Sequence, residues 1–175
     1  MVRTAREPML AQLKLAWWRD RLAADPAVWP KGEPLLARLA QWREPAGLGA
    51  LVDGWEILLG EPPLGAGELA AFSEGRAAAL GALAAQLGVE ASGVPEAGRS
   101  WAAAELLLER GDPGEQAAAR SLLDETTGPG RLARELRPLV VLAGVTRRAA
   151  VGRGAADLYR PGAYFRAIRL GLLGR

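Results

Sequence analysis

The sequence contains no cysteine and no histidine. Their absence excludes disulfides, thiolate nucleophiles, zinc or haem sites built on either residue, and catalysis by Ser-His or Cys-His pairs. Any metal would have to be a hard cation held by carboxylates, such as Mg2+. Lysine is scarce too: of 22 basic residues only Lys14 and Lys31 are lysine. Tyrosine and phenylalanine occur twice each, and β-branched residues are few, so strand-forming material is thin. No apolar run approaches the roughly 20 residues that a spanning helix needs. Residues 1–7 carry Arg3 and Arg6 but lead into a charged amphipathic segment, not a signal-peptide core. A cytoplasmic location, with contact at a membrane periphery, is therefore expected.

What remains is helix-forming. Half of the 175 residues are apolar, and most of these are Ala and Leu, which favours an all-α chain. Periodicity and punctuation predict helices over about 8–24, 33–43, 48–59, 67–87, 96–110, 115–125, 131–148 and 164–173. On the first, Leu10, Leu13, Trp17 and Arg21 share a stripe expected to face the core, with Met9 and Ala16 beside it. Pro138 is expected to kink or split the seventh. All six Trp lie at or before position 101 and are read as core packing. No internal repeat, strand-period alternation or long linker is found. One domain over 1–175 is expected, with a basic tail from about 150 to 175.

Charge is unevenly placed. From Arg131 to Arg175, ten arginines stand against Glu135 and Asp157, a net of +8; with +2 overall, the first 130 residues carry −6. A basic end on an acidic body points to an anionic partner. Arg147, Arg148, Arg153, Arg160, Arg166 and Arg169 are the candidate membrane or anion contacts. Tyr164, Phe165, Ile168, Leu172 and Leu173 follow near-helical spacing among them. This segment either lies on an anionic bilayer or docks on the protein's own body. Nucleic acid is not an expected partner, because no helix-turn-helix pattern or aromatic strand surface accompanies the charge. Gly47-Leu48-Gly49, Gly65-Ala66-Gly67 and Gly152-Arg153-Gly154 do not match a phosphate loop in spacing or context.

Several segments, in order, carry a family resemblance. Glu7-Pro8-Met9-Leu10 followed by Gln12-Leu13-Lys14-Leu15-Ala16-Trp17-Trp18-Arg19-Asp20, then Val52-Asp53-Gly54-Trp55-Glu56, then Phe72-Ser73-Glu74-Gly75-Arg76-Ala77, then Gly98-Arg99-Ser100-Trp101-Ala102-Ala103-Ala104-Glu105-Leu106, and Arg137-Pro138-Leu139 onward resemble the squalene/phytoene synthase family. The resemblance spans roughly 7–173. It implies an isoprenoid-synthase-like helical bundle. Enzymes of that family join two prenyl diphosphates, using two facing acidic motifs that hold Mg2+.

Against that pattern the acidic equipment is reduced. The first acidic motif of the family lies on a helix before the Trp-Trp segment, and seven residues precede Pro8, so a bundle lacking the first helices is expected. In the second acidic motif, Glu105 and Glu109 take the places of the usual Asn and Asp. Asp53, Glu105 and Glu109 are the candidate metal ligands. The i, i+4 pair Glu105 and Glu109 either shares a cation or forms a solvated helix face. No catalytic residue is assigned. The expected function is that of a non-catalytic, pseudoenzyme-like member binding an isoprenoid, a membrane surface or a protein partner, in the manner of an assembly factor and without a cofactor. The alternative is a Mg-dependent prenyltransferase of isoprenoid biosynthesis. A missing helical layer would leave part of the core uncovered, so a homodimer or partner-bound form is expected.

Overall fold

The computed structural model describes residues 8–152 and 154–174. Among them are eight α-helices and no strands: α1 Pro8–Ala23, α2 Pro34–Leu39, α3 Gly49–Ile57, α4 Ala66–Leu87, α5 Val94–Glu109, α6 Pro113–Asp124, α7 Arg137–Val151 and α8 Pro161–Leu173. Proline opens α1, α2, α6 and α8 and stands second in α5 and α7, where a missing N–H costs nothing and the fixed φ favours the helix. Asp112 caps α6 by accepting from the N–H groups of Gly114 and Glu115 at 2.8 and 3.0 Å, which satisfies two donors that the helix leaves free. Glu68 accepts from the Gly65 N–H at 2.7 Å at the start of α4.

The seventh helix starts later than expected. The span expected as one helix over 131–148 is split close to Pro138: a short 3-10 turn over Arg134–Leu136 precedes α7, which begins at Arg137 and takes Pro138 in its first turn. The second helix is shorter than expected, ending at Leu39.

The longest helix, α4, packs against α3 on one side and α5 on the other; α5 in turn carries α6 and α7, α7 carries α8, and α1 lies on α3. Glycines set the closeness of the central layer. A Cβ on Gly98 of α5 would stand 2.9 Å from the Ala77 Cα of α4, and one on Gly54 of α3 would stand 3.3 Å from the Phe72 carbonyl oxygen. A Cβ on Gly75 would collide with the Ala50 carbonyl oxygen.

Two reciprocal ion pairs cross from α4 to α5. Arg76 is buried, lies over the rings of Phe72 and Trp101 at 4.9 and 4.4 Å, and pairs with Glu105. Nearer solvent, Glu74 accepts two hydrogen bonds from Arg99 at 2.6 and 3.0 Å. Those hydrogen bonds hold the Arg99 guanidinium above its ordinary pKa against the opposing effect of burial.

On α1 the expected face is corrected. Ala11, Leu15 and Leu22 are buried and Trp18 packs beside them, whereas Met9 is 73 % exposed, Leu13 61 %, and Leu10 and Trp17 are exposed as well. The helix carries apolar side chains on both faces, so its pattern points in no single direction. Trp29 is buried, and its indole N–H donates to the Arg21 and Ala24 carbonyls at the end of α1. Trp18, Trp42, Trp55 and Trp101 pack, partly buried, against the core clusters. Trp17 alone of the six departs from the core-packing expectation, meeting Trp18 edge to face at 5.0 Å.

One substitution on α4 should have opposite signs at two sites. Gly81 has open space where a Cβ would go, so Gly81→Ala should stabilise the protein by about 0.5–1 kcal/mol through helix propensity. Gly75→Ala should destabilise it by about 1–2 kcal/mol, because overpacking outweighs the same propensity gain. Urea unfolding of the two variants measures both.

Candidate anion-binding groove and the acidic side chains

The ten arginines of the basic end do different work. Arg147 of α7 is turned inward: its Nη1 donates to the Leu123 carbonyl at 2.9 Å, the Thr126 hydroxyl at 2.6 Å and the Ser100 hydroxyl at 3.2 Å. It thereby ties α7 to α5 and to the C-terminal end of α6, whose last carbonyls have no partner within the helix. Arg137 at the other end of α7 donates to the Leu172 carbonyl at 2.8 Å, doing the same for α8.

Between these anchors, α8 runs antiparallel to α7. Leu170 is the buried contact, and a Cβ on Gly144 would stand 2.7 Å from its Cδ1. The absent side chain at Gly144 therefore makes room for Leu170. Alongside lies a cavity of about 470 Å3, lined by Arg147, Arg148, Arg166 and Arg169 together with Thr127, Gly128, Pro129, Gly144, Val151 and Leu170. Among the described residues that line it, none is a carboxylate. Arg148 and Arg166 also line an adjoining cavity of about 440 Å3 with Arg160 and Asp157. There Asp157 pairs with Arg160 at 3.2 Å. The Arg166 Nε is buried and has no hydrogen-bond partner. A buried donor left unsatisfied costs roughly 1–3 kcal/mol, which an anion in the groove would relieve. Among the described residues, no carboxylate pairs with Arg148, Arg166 or Arg169. Arg153 lies outside the described residues.

The outer side of α8 is apolar. Tyr164 is 68 % exposed, Phe165 70 % and Leu172 68 %, with Ile168 and Leu173 exposed as well. The segment therefore docks on the protein's own body through Leu170, while the other five apolar side chains keep substantial exposure. At the helical spacing Tyr164, Ile168, Leu172 and Phe165 fall within an arc of about 100°, with Arg169 and then Arg166 to one side.

The acidic candidates are held elsewhere. Asp53 on α3 accepts from the Arg19 Nε of α1 at 3.1 Å, and Glu56 on α3 pairs with the same guanidinium. Glu105 on α5 pairs with Arg76 of α4. Glu109 lies one turn beyond Glu105, exposed. Among the described residues, no three carboxylates are grouped so that they could hold a metal ion. Sequence reasoning missed the loop at Thr127, Gly128 and Pro129 as a wall of the groove, although these residues fall in the gap between the helices expected over 115–125 and 131–148. It also missed Glu115, which is buried and accepts from the Leu64 N–H at 2.7 Å.

Fold and site together define a class: an all-helical protein whose last two helices form an arginine-lined groove beside an outward apolar stripe. Comparison with protein-family models, curated proteins and solved structures gives no match.

The role of Glu105 has a sign that can be measured. As counter-ion to a buried guanidinium, its loss in Glu105→Gln should lower stability by about 2–3 kcal/mol, below the roughly 3–5 kcal/mol of a fully buried pair because Glu105 keeps some solvent. A carboxylate crowded into an empty cation site would give the opposite sign, since removing it relieves repulsion. Denaturant unfolding without added metal decides between them.

Proposed function

We propose that this chain is a non-catalytic member of the squalene/phytoene synthase family that docks on an anionic membrane surface through α8. The outward stripe of Tyr164, Phe165, Ile168 and Leu172 beside Arg166 and Arg169 carries the reading. Apolar side chains of this kind enter the boundary between headgroups and acyl chains, and flanking guanidinium groups meet the lipid phosphates. Among the described residues no helix is long and apolar enough to cross a membrane. The binding would thus be in the plane of the surface. An isoprenoid or a protein partner are the other ligands that the family resemblance implies, and the pairing of apolar and cationic residues on one helix favours the bilayer. The prenyltransferase alternative needs Asp53, Glu105 and Glu109 as cation ligands. Arg19 and Arg76 compete with a cation for the first two, which weighs against it.

Vesicle sedimentation tests the proposal. The protein should bind vesicles containing phosphatidylserine, bind neutral ones far less, and lose binding as salt is raised. Phe165→Ser with Leu172→Ser should weaken binding by at least about tenfold, since each apolar side chain contributes roughly 1.5–3 kcal/mol when fully buried. Equal binding by this variant and the unaltered protein would refute the role of α8.

The exposed α1 face favours a homodimer as a second feature. Met9, Leu10, Leu13 and Trp17 are apolar side chains exposed on α1, a surface suited to a second copy of the chain. Leu13→Glu should shift the protein to the monomer in sedimentation equilibrium; a monomeric unaltered protein at micromolar concentration contradicts this assignment.

A further inference from the structure

The cavity of about 470 Å3 between α7 and α8 has three features of a built site. Its arginines come from two helices, so their relative positions are fixed by the packing of Leu170 on Gly144. Its floor is held by Arg147, whose Nη1 is anchored on Ser100, Leu123 and Thr126. The Arg166 Nε is buried without a partner. A carboxylate offers two oxygens and a single charge. A phosphate offers more oxygens and up to two charges, so it accepts forks from several arginines at once. Among the described residues, the lining holds no carboxylate to compete for the guanidinium groups.

We infer that this groove is a phosphate-binding site in which Arg148, Arg166 and Arg169 grip a phosphate group, with Arg147 positioned beneath it. The inference rests on the membrane reading only for the source of the phosphate: a lipid headgroup or a free phosphate. A monoester headgroup, which exposes more phosphate oxygens and carries more charge than a diester, is the better fit.

Two measurements separate the possibilities. In the first, inorganic phosphate is titrated into the protein and the arginine Nε–H resonances are followed by NMR. The Arg166 signal should move saturably with phosphate and stay still with chloride at equal ionic strength. Arg166→Lys keeps the charge but loses the fork, and should weaken phosphate binding at least about tenfold. Arg169→Gln alters an exposed side chain, leaves folding intact by circular dichroism, and should weaken binding about threefold or more. In the second, vesicles of phosphatidic acid and phosphatidylserine are compared at matched surface charge. Phosphatidic acid should be preferred, and Arg166→Lys should abolish the preference. Saturable phosphate binding without vesicle binding upholds the groove with a soluble ligand and removes the membrane reading. Vesicle binding with neither headgroup preference nor a saturable phosphate response overturns the groove and leaves the membrane reading standing. Unchanged phosphate affinity in both variants also overturns it.

Discussion

The basic end of the molecule depends on one guanidinium that faces away from solvent. Arg147 bonds to the Leu123 carbonyl, the Thr126 hydroxyl and the Ser100 hydroxyl, and so fixes α7 against α5 and the end of α6. The Leu123 carbonyl also accepts from the Thr126 hydroxyl at 2.8 Å, so Arg147 and Thr126 join one network of oxygens that are costly to leave unpaired in the interior. With α7 placed, Gly144 receives Leu170 and Arg137 closes the end of α8. The groove and the outward stripe of α8 are consequences of that sequence of contacts. Thr127 and Gly128 complete the wall, and Gly128 takes a left-handed backbone with φ of 86° directly against Arg147, where a side chain would be strained.

The helices were largely legible in the sequence because Ala and Leu favour them and Pro and Gly punctuate them. Their faces were less so. On α1 both faces are apolar, and the larger side chains Met9, Leu10, Leu13 and Trp17 turned out to be the exposed ones; which face meets α3 is decided by tertiary packing. Pro138 read as a break inside a long helix, and the break falls just before it: a helix tolerates proline in its first turn, and Leu136 closes the preceding 3-10 turn.

The candidate site shows the same limit more sharply. Ten arginines look alike in sequence, yet Arg147 and Arg137 are internal donors, Arg160 pairs with Asp157, and Arg148, Arg166 and Arg169 line the groove. The partners that separate these roles are distant: Arg147 reaches Ser100 across 47 positions and Arg137 reaches Leu172 across 35. The acidic residues follow the same logic. Asp53 and Glu105 stand where the family resemblance places metal ligands, while Arg19 and Arg76 neutralise them from 34 and 29 positions away. An arginine at that distance cannot be assigned to its carboxylate by spacing. The arrangement is one in which negative charge serves the packing of α1 on α3 and of α4 on α5, while Arg148, Arg166 and Arg169 line the groove with no carboxylate partner among the described residues.

Membrane docking through α8 is the central claim, and the lack of cysteine makes it directly measurable. Single nitroxide labels can be attached after Phe165→Cys, Leu172→Cys and, as a control at the far end of α4, Leu87→Cys. Depth measurement by electron paramagnetic resonance on anionic vesicles should place labels 165 and 172 about 5–10 Å into the boundary between headgroups and acyl chains, with label 87 still in water. Labels at 165 and 172 as accessible to an aqueous relaxation agent with vesicles as without them would contradict the account.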